Sequence, residues 1–230
     1  MFNVLCKWFL LFLIYSFIGW IIEMVVYLRR YKKVIDRGFL IGPILPLYGF
    51  GAILMIIFLG KYSNDIITLF CMSALLCTVL EYLTSYIMEK LFHARWWDYS
   101  DMKYNIEGRV RLKNSLLFGL GGVLVVPFVN PFLVSLLSKL SVDTINTAAV
   151  IFFIMFAIDV CFSCKVIFSF RSLITDVRKD SSAEINKLVK KMIAKDSIFA
   201  KRLVHAFPNL KLNINKLKKK KGKFFKKGRK

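Results

Sequence analysis

The sequence predicts an all-α membrane protein. The expected architecture is a polytopic bundle of about five transmembrane helices, with the N-terminus outside and the C-terminus inside, followed by a cytoplasmic amphipathic helix and a basic tail. Three observations predict it. Hydrophobic residues make up 57% of the 230-residue chain and the mean hydropathy is +0.57, more apolar than an ordinary soluble fold sustains. Five long runs carry few charges, and the loops between them alternate between basic and nearly neutral. The formal net charge of +21 is concentrated at one end: residues 171–230 hold 20 Lys/Arg against 4 Asp/Glu. The chain thus divides into a bundle over 1–170, an amphipathic segment over 171–208 and a polybasic tail over 209–230.

The runs are expected at about 4–28, 44–59, 66–92, 115–137 and 147–170, each near the roughly 20 residues that cross a hydrocarbon core of about 30 Å. The first lacks a basic leader and a small-residue cleavage site, so it reads as a retained helix and not a signal peptide. The second is marginal. Pro43 and Pro46 remove backbone donors at its start, which predicts a late start, a kink or a broken helix. Pro127 and Pro131 predict a kink in the fourth.

Loop charge sets the orientation. Arg29, Arg30, Lys32, Lys33 and Arg37 follow the first run, and Arg95, Lys103, Arg109, Arg111 and Lys113 follow the third. The other two loops hold only Lys61 and Lys139. Basic loops face the cytoplasm, so the N-terminus lies outside, and five spans keep the alternation where four or six break it.

Beyond the bundle, Ser181 and Glu184 have capping-box spacing, and Ile185, Leu188, Val189, Met192 and Ile193 follow helical spacing among lysines. The lysine run that closes the chain, with Phe224 and Phe225 inside it, suits an anionic leaflet, at roughly 1 kcal/mol per basic residue near the surface. Contact with nucleic acid would rest on charge alone, and the lipid reading is preferred.

Ionisable groups inside a span cost on the order of 2.5–3.5 kcal/mol on insertion scales and therefore mark candidate sites. Glu23, Glu81, Glu89 and Asp159 qualify. Glu23 and Glu89 lie near helix ends, where snorkelling or an ion pair is the plain alternative. Glu81 and Asp159 lie deeper, where the plain alternative is a neutral acid hydrogen-bonded between helices. Were those two helices to face each other, the pair would share one proton. The loop after the third run gathers Arg95, Trp97, Asp98, Tyr99, Asn105 and Arg109, which together can bind a polar or anionic group or satisfy one another. An interfacial aromatic belt is the competing reading. Arg37 and Tyr48 belong to the same side of the membrane and complete the candidate set for substrate binding.

Other chemistry is poorly supplied. No G-x-x-x-x-G-K-[ST] loop is present, so the chain does not hydrolyse ATP by that route. Cys161 and Cys164 have C-x-x-C spacing without a second ligand pair, and Cys6, Cys71 and Cys77 sit in apolar runs. Neither a metal nor a cofactor is expected.

The combination Ser16-x-x-Gly19-Trp20-x-x-Glu23, Arg37-Gly38-Phe39-Leu40-x-Gly42-Pro43-x-x-Pro46-x-Tyr48-Gly49-x-Gly51, Glu81-Tyr82, Glu89, Arg95-Trp96-Trp97-Asp98-Tyr99-Ser100 and Asn105-x-x-Gly108-Arg109 resembles the bacterial membrane family named "putative ABC-transporter type IV", or CmpB-like. The resemblance covers about residues 8–165 and does not extend to the basic tail. It implies a multi-pass protein of the bacterial cytoplasmic membrane and a transport permease component, with any ATP hydrolysis supplied by a separate ATPase subunit. The alternatives from the residues themselves are a lipid-binding or lipid-modifying protein of the inner leaflet and a membrane scaffold.

Overall fold

The structure is a computed structural model that describes residues 1–32, 38–92 and 95–177. The expected amphipathic segment from 178 onward, the polybasic tail and Arg37 lie outside the described residues. Among the described residues, six α-helices run in chain order: α1 (Phe2–Tyr31), α2 (Pro46–Leu59), α3 (Ile66–Phe92), α4 (Leu112–Leu124), α5 (Asn130–Ser138) and α6 (Val142–Val177). Two-residue strands β1 (Asn105–Ile106) and β2 (Val110–Arg111) form an antiparallel hairpin between α3 and α4.

Among the described residues, four segments are long and apolar enough to cross a membrane: Phe2–Arg29, Ile66–Leu91, Leu112–Ser138 and Val142–Lys165. Their exposed surface is what lipid requires. Ile151, Phe152, Phe153, Ile154 and Met155 are all exposed on α6, so apolar side chains cover the helix all round. Water would penalise such a surface, whereas hydrocarbon matches it.

The second run differs from a full-length span, and the two prolines explain why. Helix α2 begins at Pro46, whose missing N–H is harmless in a first turn, and continues only through a short 3₁₀ turn, Gly60–Tyr62. Residues 38–45 before it are not helical. They are nevertheless held at the depth of the helix centres. The Leu45 N–H donates to the Ser16 carbonyl in the middle of α1 (3.1 Å), while the N–H groups of Ile41 and Gly42 donate to Asp159 of α6. Irregular backbone survives at membrane depth only where protein satisfies its polar groups, and here α1 and α6 do so.

The prolines of the fourth run are accommodated differently. Val125–Val129, which contains Pro127, forms a π-helical turn, and Pro131 then falls in the first turn of α5. The wider turn absorbs the missing donors and lets α4 and α5 continue one apolar rod from Leu112 to Ser138.

Helices pair through small residues, as lipid-embedded helices do. On α2, a Cβ at Gly49 would overlap Phe12 Cδ2 and Ser16 Oγ of α1. On α4, a Cβ at Gly122 would overlap Ser73 of α3. Ser16 and Ser73 are fully buried at these seams, and Ser16 Oγ donates back to the Phe12 carbonyl (2.7 Å). One apolar core gathers Leu10, Leu11 and Tyr15 of α1 with Leu133 and Leu137 of α5 and Ile145 and Ala149 of α6. A second joins Met55, Leu69, Cys77 and Val126. Helix α3 is capped by Asp65, whose carboxylate accepts the Thr68 N–H (3.0 Å).

Candidate functional site

Three groups of polar side chains gather around carboxylates of the bundle. The first is built where α3 and α4 meet the loop that joins them. Glu81 is 4% exposed, and its Oε1 accepts from Asn114 Nδ2 (3.1 Å) and Tyr99 OH (3.4 Å). Asn114 Nδ2 also donates to the Tyr99 oxygen (2.9 Å), and its own Oδ1 accepts from Arg111 Nε (2.8 Å). The Arg111 guanidinium lies over the Tyr99 ring, 5.1 Å from its centroid. Glu23 of α1 and Tyr48 of α2 flank this group: Tyr48 OH donates to Glu23 Oε1 at 2.7 Å, and Glu23 and Glu81 lie within electrostatic reach of each other. Burial pushes the Tyr99 phenol well above its ordinary range and the negative charge of Glu81 adds to this, so Tyr99 stays a hydrogen-bond donor at any physiological pH.

The second group is an ion-pair network beside the first. Glu89 Oε2 receives Arg95 Nε at 2.9 Å and Arg109 Nη2 at 2.8 Å. Arg95 also approaches Asp98 at 3.8 Å, and Arg109 approaches Glu107 at 3.4 Å. Arg109, 7% exposed, is packed against the Tyr82 and Tyr86 rings. Burial opposes its charge, but Glu89 and Glu107 outweigh it and raise its pKa. Glu107 in turn is held below the usual carboxylate range, first by the Tyr82 hydroxyl (2.8 Å) and then by Arg109.

The loop is shaped to deliver these residues. Glu107 and Gly108 both have positive φ, 52° and 69°, as a tight primed hairpin turn demands. Gly108 also has no room for a side chain, because a Cβ there would overlap Ser100 and Asp98. Asn105 fastens the turn by donating to the Met102 carbonyl (2.6 Å) and accepting the Gly108 N–H (2.8 Å). Trp97 Nε1 donates to the Arg109 carbonyl at 2.7 Å, which ties the aromatic stretch to the hairpin.

The third group stands apart. Asp159 Oδ1 and Oδ2 each accept one backbone N–H, from Ile41 and Gly42, both at 2.8 Å, and Ser163 Oγ adds a third donor at 3.1 Å. A Cβ at Gly42 would sit 2.9 Å from Asp159 Oδ2, so any larger residue there would push the carboxylate away from the amides. Asp159 thus serves the irregular segment, while the contacts of Glu81 are Tyr99 and Asn114.

Of the sequence-predicted residues, the structure brings Glu23, Tyr48, Glu81 and Tyr99 into one cluster, and Glu89, Arg95, Asp98 and Arg109 into the neighbouring network. Trp97 and Asn105 hold the loop. Sequence reasoning missed Asn114, and it used Arg111 only for topology. An amide in the first turn of an otherwise apolar helix is the signal that could have found Asn114. Among the described residues, no three His, Cys, Asp or Glu side chains converge as a metal-ion group would require.

Long apolar helices around the buried carboxylate of Glu81 define a multi-pass helical membrane protein. The chain belongs to the family described as "Putative ABC-transporter type IV", whose model matches residues 10–164 and so takes in all three polar groups. No curated protein and no solved structure matches the chain.

Proposed function

We propose that this chain is the permease component of a transport system in the bacterial cytoplasmic membrane, with ATP hydrolysis supplied by a separate subunit. The observation that carries the proposal is Glu81: a carboxylate in a membrane span, nearly fully buried, around which α1, α2, α3, α4 and the hairpin loop contribute polar groups. Such a group is costly in lipid and needs a use. The cluster of Glu23, Tyr48, Glu81 and Tyr99 is the place where this reading puts the transported species, and the Glu89–Arg95–Arg109 network is its rigid support.

The chain crosses the membrane five times in this reading, N-terminus outside and C-terminus inside. Support comes from the Gly38–Leu45 segment, because it and α2 together cover the depth that a full helix would. A broken crossing of this kind at a buried polar site is the arrangement transporters use around a substrate. The tail beyond 208 rests on anionic lipid of the inner leaflet. The rival reading, a lipid-headgroup site at Arg95, Asp98, Asn105 and Arg109, has less support, since both arginines already pair with Glu89 and Asn105 fastens the hairpin.

Tagged full-length chain, extracted from its native membrane in mild detergent, is expected to carry a P-loop ATPase in fixed stoichiometry. Membranes in which the chain elutes alone, under conditions that keep other transporter complexes intact, would count against the proposal. Cysteines placed at Ser63 and Ser141 should label from outside intact cells, and one at Lys103 only after permeabilisation. The reverse pattern overturns the orientation.

A further inference from the structure

We infer that the Glu81 cluster is a binding site for a monovalent cation, an alkali ion or a small ammonium, held by Glu81 Oε2 with Glu23 as the second carboxylate; the inference deepens the permease reading and rests on it for its biological meaning. The starting point is an unfinished hydrogen-bond inventory. Glu81 is 4% exposed and its Oε1 has two donors, yet its Oε2 is buried without a hydrogen-bond partner among the described residues. A buried acceptor left without a donor is costly, and more so when it carries charge. Native interiors rarely leave such an atom bare without a functional reason.

None of the neighbouring donors reaches Glu81 Oε2. Tyr48 gives its proton to Glu23, Tyr99 gives its proton to Glu81 Oε1, and Asn114 divides its amide between Glu81 Oε1 and Tyr99. Arg111 donates through Nε to Asn114 Oδ1. A proton alone does not complete the site, because it turns Oε2 from an acceptor lacking a donor into a donor lacking an acceptor. A water would complete the hydrogen bond but not the charge. The charged and titratable groups facing Glu81 are Glu23 from α1, Tyr48 from α2, Cys77 from its own helix, Tyr99 from the loop and Arg111 from β2. With the phenols and the thiol neutral and both acids ionised, two carboxylates face one guanidinium, a formal balance of one negative charge. A monovalent cation both neutralises that balance and occupies the open oxygen, whereas an anion would meet two carboxylates.

Full-length chain in nanodiscs of zwitterionic phosphatidylcholine, which keeps the basic tail off anionic lipid, provides the test. Its melting temperature is measured in chloride salts of ammonium, methylammonium, sodium, potassium and N-methylglucamine at constant ionic strength. At least one of the four small cations is expected to raise the melting temperature saturably over N-methylglucamine. The series separates the two sources: ammonium and methylammonium bind by donating hydrogen bonds, sodium and potassium by coordination. Glu81→Gln should abolish the shift while keeping acceptors for Tyr99 and Asn114. Glu23→Gln should weaken apparent affinity by about tenfold or more, and Asp143→Asn, exposed in the first turn of α6, should leave it unchanged. The inference is overturned when no small cation acts differently from N-methylglucamine, or when Glu81→Gln keeps the shift. Were Glu81→Gln not to fold, undiminished affinity in Glu23→Gln overturns it instead. Cation binding without an ATPase partner removes the permease reading and leaves the site; an ATPase partner without cation binding does the opposite.

Discussion

Replacing Asp159 with Asn should release the Gly38–Leu45 segment from α6. In the wild type, two backbone N–H groups donate to the two carboxylate oxygens at 2.8 Å each. Hydrogen bonds to a charged group are worth about 1.5–3 kcal/mol apiece. Asparagine offers one carbonyl oxygen and one NH₂ group, so one amide keeps a neutral bond of about 1 kcal/mol and the other faces a donor. Removing the carboxylate also relieves the cost of holding it in an apolar span, which offsets part of the loss. The net is about 2–3 kcal/mol, which corresponds to roughly 30–150-fold faster local opening. Hydrogen exchange followed by mass spectrometry on full-length protein in nanodiscs reads this directly. Peptides covering 38–45 should exchange faster in Asp159→Asn by that factor, while peptides from the middle of α3 stay unchanged. Equal exchange of Ile41 and Gly42 in the two proteins would falsify the anchoring role of Asp159 and, with it, the account of why α2 can be short.

Three further outcomes follow from the packing and the ion pairs. Gly122→Leu, which forces a side chain into Ser73 across the α3–α4 seam, should cost about 1–3 kcal/mol and lower the melting temperature, whereas Gly121→Ala, with open space around it, should change little. Arg109→Met should cost about 2 kcal/mol, below the 3–5 kcal/mol of a fully buried pair, because Glu89 is one-third exposed and keeps Arg95; a thermal melt in detergent checks it. Folding lowers the Glu107 pKa, so its bonds to Tyr82 and Arg109 stabilise the hairpin above the ordinary carboxylate range and are lost as pH falls through the lowered value. Acid titration of the tryptophan fluorescence from Trp96 and Trp97 should show that loss, and Glu107→Gln should remove its pH dependence.

The apolar runs were legible in the sequence because lipid leaves them no alternative: α3 coincides with the expected 66–92, and Pro46 announced the late start of α2. The last helix is longer than the expected run 147–170 at both ends, with α6 running from Val142 to Val177, since helical hydrogen bonding does not stop where apolar composition does. Glu81 could be singled out from cost alone. Its partners could not, because Asn114 reads as an ordinary polar residue at a helix start and Tyr99 reads equally well as part of an interfacial belt. The partners of Asp159 are two backbone amides, groups that every residue carries, so no pattern of side chains encodes them. The sequence of the β1–β2 hairpin reads as part of a loop; its turn uses Glu107 where Asn or Asp is the familiar signal, and tertiary contacts to Tyr82 and Arg109 hold Glu107 in the left-handed region.

The central claim, that the buried cluster around Glu81 belongs to a transport cycle, is tested most directly by ATP hydrolysis. The chain and the ATPase expected to co-purify with it, reconstituted together in nanodiscs, are compared as wild type and Glu81→Gln. Hydrolysis that responds to small monovalent cations in the wild type, and loses that response in Glu81→Gln with the complex intact, is the predicted result. Hydrolysis with the same cation response in both proteins would contradict the account.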